Sequence, residues 1–297
     1  MTQTTTATAT LDADLPPIIP ARRLSHSGMG LLLGRLQPLA GRVYLLVFVL
    51  FLMSPLLILA AAAFNDSSFP TILPWQGSTI KWIVALFHDG EIGRALISSG
   101  IIAAGVIGLS LPVGTAAALV LTSLHGRTRG VVYALMVSPM LIPGIVIGIS
   151  TLLFWRQVGV NGGYFLTILA QSSFIISFVM LMIVAQLQRF DRTMEEAALG
   201  LGASRLLVFR RILLPYLRPA LLAACCIAFL QSFENCNTTL FVRGTETPLT
   251  IFIATKVRTG LTPVINALGL VMMVGTIMGA VLWEIARYRR AVRSAAV

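Results

Sequence analysis

Six apolar runs, near 43–63, 94–122, 131–155, 165–187, 219–241 and 264–286, alternate along the chain with shorter polar stretches. A hydrocarbon layer about 30 Å thick takes roughly 20 residues of α-helix to cross. Each run has that length or more, so the pattern predicts an all-α polytopic membrane protein with six transmembrane helices. The third run contains Pro139 and Pro143 among several glycines. It is expected to form a bent helix whose freed carbonyls are satisfied by neighbouring helices. The segment 249–260, LTIFIATKVRTG, is too short to span; it lies along an interface or folds back as a gate. The long loop 64–93 carries Trp75 and Trp82, residues suited to the membrane–water boundary.

Composition agrees with this picture: 57% of the residues are hydrophobic and only 11% are charged, against about 25% in soluble domains. The first 42 residues read as a tail, Thr-rich at its start, with Pro16, Pro17 and Pro20 and expected disorder to about residue 25. Its hydrophobic segment starts too late and runs too long for a secretory signal. The predicted organisation is a tail at 1–42, a permease-like membrane domain at 43–286 and a basic tail at 287–297. Cys225, Cys226 and Cys236 lie in one apolar stretch without metal-ligand spacing and read as small helix residues. No metal site is expected, because His26, His88 and His125 are scattered among tail and loops.

The net charge of +11 is explained by sidedness. With the N-terminus in the cytoplasm, 16 of the 22 basic residues fall inside and 6 outside, the six being Lys81, Arg94, Arg156, Arg243, Lys256 and Arg258. That bias puts both termini in the cytoplasm, and no nucleic-acid partner is needed to account for the charge.

The loop 188–218 then lies inside, and it holds the one long stretch both charged and regular, EEAALGLGASRLLVFRRILLP at 195–215. Thr193 and Glu196 have the spacing of a capping box, with Asp191 as a competing cap. Gly202 is placed to stop the first helix in a left-handed conformation, and Ser204 to cap a second. Arg210 and Arg211 fall in the last turn of that second helix, where they suit the dipole and equally the inward bias of basic residues. Pro215 is expected to end it. Leu206, Leu207, Phe209 and Ile212 are too apolar to stand bare. They lie against the protein's own membrane domain or under a protein partner, and the residues alone leave both open.

Glu196-Ala197-Ala198, then Gly202, then Ile212-Leu213-Leu214-Pro215 resembles the EAA motif of bacterial ABC-importer permeases, with three residues and then nine between its parts. The loop beginning FNDS, the stretch LIPGIVIGIS at 141–150, and the region from SFENCNTTLFVRG to GLTPVINAL resemble the spermidine/putrescine branch of that family. The resemblance implies the MetI-like fold of type I ABC-importer permeases. It implies that 188–218 is a coupling loop, in which Glu195, Glu196, Ala197, Ala198, Gly200, Gly202, Ala203 and Ser204 form a turn docking into an ATPase, followed by Arg210 and Pro215. It further implies two ATPase subunits, a second permease chain (homologous rather than identical), an extracytoplasmic solute-binding protein, and location in the bacterial inner membrane. The phosphate-binding loop G-x-x-x-x-G-K-S/T does not occur in this chain. ATP and Mg are therefore expected on a separate ATPase, with no cofactor and no enzymatic activity here.

Charged residues inside spans usually face a bundle interior or a cavity. Glu284 is close to Arg287, which predicts a local ion pair. Glu234 stands in the polar patch SFENCNTT of the fifth run. Counted from Pro219 along a helix it lies about 22 Å in. Glu234, Asn235, Asn237, Thr238 and Thr239 are candidates for lining the path of a small-molecule substrate, the alternative being a helix end frayed into water. Members of the resembled branch tend to carry two aspartates where this chain has Glu234-Asn235. One carboxylate admits a cationic solute of the polyamine kind or a zwitterionic one such as an opine or amino-acid derivative. A secondary transporter or channel working without an ATPase is the alternative function. Its proton- or ion-coupled form predicts several intramembrane acids or an inverted repeat, and the sequence shows essentially one such acid and no repeat.

Overall fold

The computed structural model describes the backbone of residues 28–295, and the side chains of 41–285, 287 and 288. The expected disorder near the N-terminus, Arg22, Arg23 and most of the basic C-terminal tail fall outside what is described. The chain divides at Leu57 into two units. The first contains most of α1, Gly28–Phe64, so helix begins well before the predicted span. From Val43 to Leu52 its large apolar side chains are all exposed, as a lipid-facing helix requires.

In the second unit, a short helix α2 (Lys81–His88) leads into α3 (Gly90–Ser123). Asp89 caps α3 by accepting from the Glu91 and Ile92 amides. α3 packs along α6 (Tyr164–Leu187) and α9 (Leu214–Phe233). Their shared core is Ile102, Val106, Ala118, Leu121, Ile175, Val179, Met180, Ile183, Leu217, Ala224 and Ala228. At the other end of α3, a second core joins Ala63, Leu86, Ile92, Ala95, Leu249, Phe252 and Leu268. It draws on α2, on α11 (Leu249–Thr259) and on α12 (Pro263–Ala295). Short α11 therefore does not span; its N-terminus is pinned by Leu249 N–H donating to the buried Ser99 hydroxyl at 2.8 Å. Loop 64–80 is organised by Asn65, whose amide donates to the Thr71 and Pro74 carbonyls while its backbone carbonyl accepts from the Trp82 indole.

Among the described residues, five helices are long and apolar enough to cross a membrane, and a bent pair makes six if it is counted as one span. α4 (Gly126–Leu141) and α5 (Gly144–Gln157) meet at 98°, a sharper break than the bend the two prolines predict. Pro143 pushes Ile142 into extended backbone, with ψ at 133°. Pro139 withdraws the N–H that would bond Leu135. That freed carbonyl is taken within the same helix, by the Ser138 hydroxyl at 2.9 Å. The neighbouring helix helps one residue on, where Ser177 donates to the Met136 carbonyl at 2.6 Å.

The helix that carries the fifth span runs Arg205–Phe233, against the predicted 219–241: it is continuous with the elbow at its start and stops sooner at its end. It starts early because Pro215 does not end the helix. The backbone widens at Phe209–Leu213 into a π-turn, with Leu214 N–H bonding back to Phe209, and Pro215 then sits in the first turn of α9, where no N–H is needed. It ends early because Asn235 bonds its own backbone, accepting from Thr238 N at 3.1 Å. Such local side-chain bonds compete with the helix ladder.

Candidate functional sites: a coupling elbow and a polar cavity

The loop between α6 and α9 folds into helix, turn, helix. At the start of α7 (Thr193–Gly200) the Thr193–Glu196 box does not form; the N-cap position is Arg192, without a side-chain cap bond, and Asp191 just before it binds the first residue of the helix. One carboxylate oxygen of Asp191 accepts from Thr193 N at 3.0 Å and from its hydroxyl at 2.8 Å. Thr193 is thus drawn into the helix, and the Glu196 amide bonds the Arg192 carbonyl at 3.1 Å instead. The Thr193 hydroxyl, with the Thr193 backbone N–H second, holds the Asp191 carboxyl below its ordinary pKa.

Gly202 ends the helix as expected, at φ +85°. Gly202 N–H bonds the Leu199 carbonyl and Ala203 N–H the Ala198 carbonyl, the paired bonds of a Schellman ending. Ser204 then caps α8 (Arg205–Val208), accepting from Leu207 N at 3.3 Å. Glu196, Ala197, Gly200 and Gly202 are exposed, and Ala198 and Ala203 half-buried. Arg210 is exposed on the π-turn rather than in a last helical turn, and Pro215 is exposed beyond it.

The second helix divides its apolar residues between two faces. Val208 is buried, and with Phe209, Leu213, Leu119 and Leu187 it walls a hollow of about 270 Å³ beneath α3 and α6. Glu195 lines this hollow with Arg192 and Arg205, so it turns toward the membrane domain and away from the exposed turn. Arg192 donates to the Thr122 carbonyl at the end of α3, at 3.0 Å. On the other face Met194, Leu199, Leu206 and Leu207 are exposed, and Leu201 is 90% exposed. Part of this apolar surface therefore packs on the chain's own membrane domain, and part stands bare.

At the far end of α9, Glu234 is the residue that terminates the helix. The helix end opens on a cavity of about 400 Å³ lined by Glu234, Asn235, Asn237 and Thr238, with Gln231, Phe174 and Phe178. Glu234 and Asn237 are exposed into this space, and Asn235 is half-buried. The two phenyl rings stand edge-to-face with centroids 6.5 Å apart. A carboxylate, amide oxygens and π-faces around one space offer a cation its preferred neighbours.

Thr239 departs from the predicted path. It is 1% exposed, on the short helix α10 (Thr239–Val242), and its hydroxyl accepts from the Gln171 amide at 2.7 Å. Gln171 in turn accepts from the Ser232 hydroxyl at 2.6 Å. This buried triad ties α6, α9 and α10 together and fixes the cavity wall. The backbone at Thr238 lies so close to α5 that a Cβ on Gly148 would come within 2.7 Å of the Thr238 carbonyl oxygen. Gln171 and the aromatic pair are not among the predicted site residues; the run AQSSF, polar within an apolar span, is the signal that points to them. Glu284 pairs with Arg287 at 3.0 Å, as the spacing suggests.

A helical membrane bundle with a broken span, a bare elbow between two spans and a polar cavity has the architecture of a transporter's membrane subunit. The chain belongs to the family of binding-protein-dependent transport system inner membrane components, whose model matches residues 110–289. It is 35% identical over 251 residues to the putrescine transport system permease protein PotI of Escherichia coli (strain K12), covering 81% of this chain and 88% of that protein. To the spermidine/putrescine transport system permease protein PotC of Haemophilus influenzae it is 32% identical over 234 residues, 78% of this chain and 90% of the relative. Its fold matches a crystal structure of a bacterial ABC transporter involved in the import of the acidic polysaccharide alginate. The TM-score is 0.64 at 15% identity, over 85% of this chain and 96% of that one. The protein is a multi-pass inner-membrane permease subunit of an ABC importer, working with an ATPase and a binding protein.

Proposed function

We propose that this permease moves a small cationic or zwitterionic solute through the cavity at Glu234, by alternating access driven from the elbow. The solute class is supported by the single carboxylate, the amides and the phenyl faces that line the cavity, and by the named relatives, which are permeases for spermidine and putrescine. Glu234 holds an ammonium group, Asn235, Asn237 and Gln231 accept its remaining hydrogen bonds, and Phe174 and Phe178 give it a low-dielectric wall. Thr238 borders the space by its backbone.

The drive is supported by one observation above the others: a tightly bonded turn bearing five bare apolar side chains, Met194, Leu199, Leu201, Leu206 and Leu207. This turn, with Glu196, Ala197, Ala198, Gly200, Gly202, Ala203 and Ser204, seats in a cleft of the ATPase. Glu196 meets a polar or basic group there. Two ATPase subunits lie on the cytoplasmic side with both termini of this chain, and ATP and Mg are held on them. A second permease chain, homologous and not identical, completes the pore, and a solute-binding protein delivers from outside. ATPase closure moves the elbow, and α7–α8 carry that movement to the inner ends of α3 and α6 through Arg192 and Val208.

The test is Glu234→Gln, assayed for uptake and for ATPase activity stimulated by the loaded binding protein. Loss of the charge raises the uptake KM about tenfold or more while stimulated ATPase activity persists. Unchanged uptake kinetics would remove Glu234 from the path.

A further inference from the structure

On the side of the bundle opposite the elbow, the first turns of α3, the start of α6, the 243–247 loop and α11 enclose a larger cavity of about 640 Å³. Its walls carry Glu91, Arg94, Arg243, Glu246 and Lys256. Glu91 and Lys256 pair with each other at 3.3 Å. Among the described residues, Arg94, Arg243 and Glu246 form no ion pair. Arg94 bonds through Nε to the Gly90 carbonyl of its own helix, which leaves its terminal nitrogens for the cavity. Arg243 donates one nitrogen to the Glu246 backbone carbonyl and to the Thr247 hydroxyl. Ser98 lines the same space and is 4% exposed; its hydroxyl makes no well-formed hydrogen bond, and the Tyr164 hydroxyl stands beside both it and the Glu246 carboxylate.

Two guanidiniums and a carboxylate without an ionic partner thus line one space, beside a deeply buried hydroxyl. A ligand carrying charges of both signs satisfies all four. We propose that this cavity is a second recognition site, for a small zwitterion of the amino-acid class. The carboxylate of the ligand lies on Arg94 and Arg243 with the Ser98 hydroxyl as a further donor, and its ammonium faces Glu246. A diammonium compound fits less well, because its second cation meets the guanidiniums. The loop that carries Arg243 and Glu246 continues directly from α10, and α10 from the Asn237–Thr238 wall of the Glu234 cavity. The site therefore stands at the head of the segment bordering the proposed path. The inference rests on the importer reading for the direction of traffic, and deepens it by requiring a carboxylate on the solute.

The experiment uses the assembled importer in lipid nanodiscs, without binding protein, titrated with γ-aminobutyrate and with putrescine as probes of similar length and different charge. γ-Aminobutyrate binds saturably and more tightly than putrescine. Arg94→Gln weakens that binding about tenfold or more, and Ser98→Ala weakens it less. Arg243 is not substituted because it holds its own loop. Absence of γ-aminobutyrate binding to the wild type, equal binding of putrescine, or wild-type affinity in Arg94→Gln would each overturn the site. Binding lost in Glu234→Gln and retained in Arg94→Gln would move the zwitterion to the other cavity, overturning this site and sparing the path. Failure of the path itself is read separately, in the uptake of Glu234→Gln.

Discussion

The elbow and the Glu234 cavity wall are both polar interruptions of an apolar chain, and they are held together in opposite ways. In the elbow nearly every bond is local: Asp191 to Thr193, Ala198 to Ala203, Ser204 to Leu207. In the cavity wall the decisive bonds reach across the sequence, from Gln171 to Thr239 and to Ser232, and the tightest approach is between α5 and the backbone at Thr238. A locally bonded unit keeps its shape while it is exposed and moved, which suits a part that is pushed by a partner. A wall assembled from three helices has its shape only while the helices stay in register, which suits a part that opens when they shift.

Substitutions separate the two regimes. Gly148→Leu forces a side chain onto the Thr238 carbonyl, where no flexible neighbour can give way. It should have the largest effect, about 3 kcal/mol at the upper end of overpacking costs, seen as loss of the monodisperse permease in detergent. Gln171→Ala strands the Ser232 and Thr239 hydroxyls in a buried site. A cost of about 2 kcal/mol is expected, measured as a lowered midpoint of thermal unfolding, with uptake falling in step. Gly202→Leu strains a left-handed residue by about 1 kcal/mol. Its folding should survive, while pull-down of the ATPase or its stimulation is lost; normal coupling in this variant would count against the docking turn.

The smallest effect belongs to Asp191. Its folded pKa is depressed, so its contribution to the elbow is fully present above the ordinary aspartate pKa and is lost as pH falls through the lower folded value. Asp191→Asn should abolish that acid dependence of elbow protection in hydrogen exchange and change little else. An unchanged acid profile in the variant would assign the dependence to another carboxylate.

The same contrast between local and distant bonding separates the features legible in the residues from those that are not. Gly202 and Ser204 can be assigned from their neighbours because a Schellman ending and an N-cap are decided within about six residues. Even there, spacing alone predicts a Thr193–Glu196 box that does not form, because the Glu196 amide takes the Arg192 carbonyl. Pro215 misleads for a related reason. Proline forbids an ordinary helical bond, but a π-turn supplies another solution, and the helix runs on from Arg205 through it. The polar patch at 232–239 is visible in the chain, yet Thr239 is separated from Glu234 only by its partner Gln171, a residue 68 positions away.

The sequence by itself determined the helical membrane class, the six apolar segments, the uneven spread of basic residues among the loops, and the place and ending of the elbow. These follow from hydrophobic transfer, from charge and from short-range backbone bonding, and all three act within a few turns of chain. Tertiary structure alone decided the sharpness of the 98° break between α4 and α5 and which polar residues face a cavity. It also decided the meeting of Arg94, Ser98, Arg243 and Glu246 in one space. Those outcomes depend on which helices pack together, and a buried polar atom takes whatever partner that packing brings within about 3 Å.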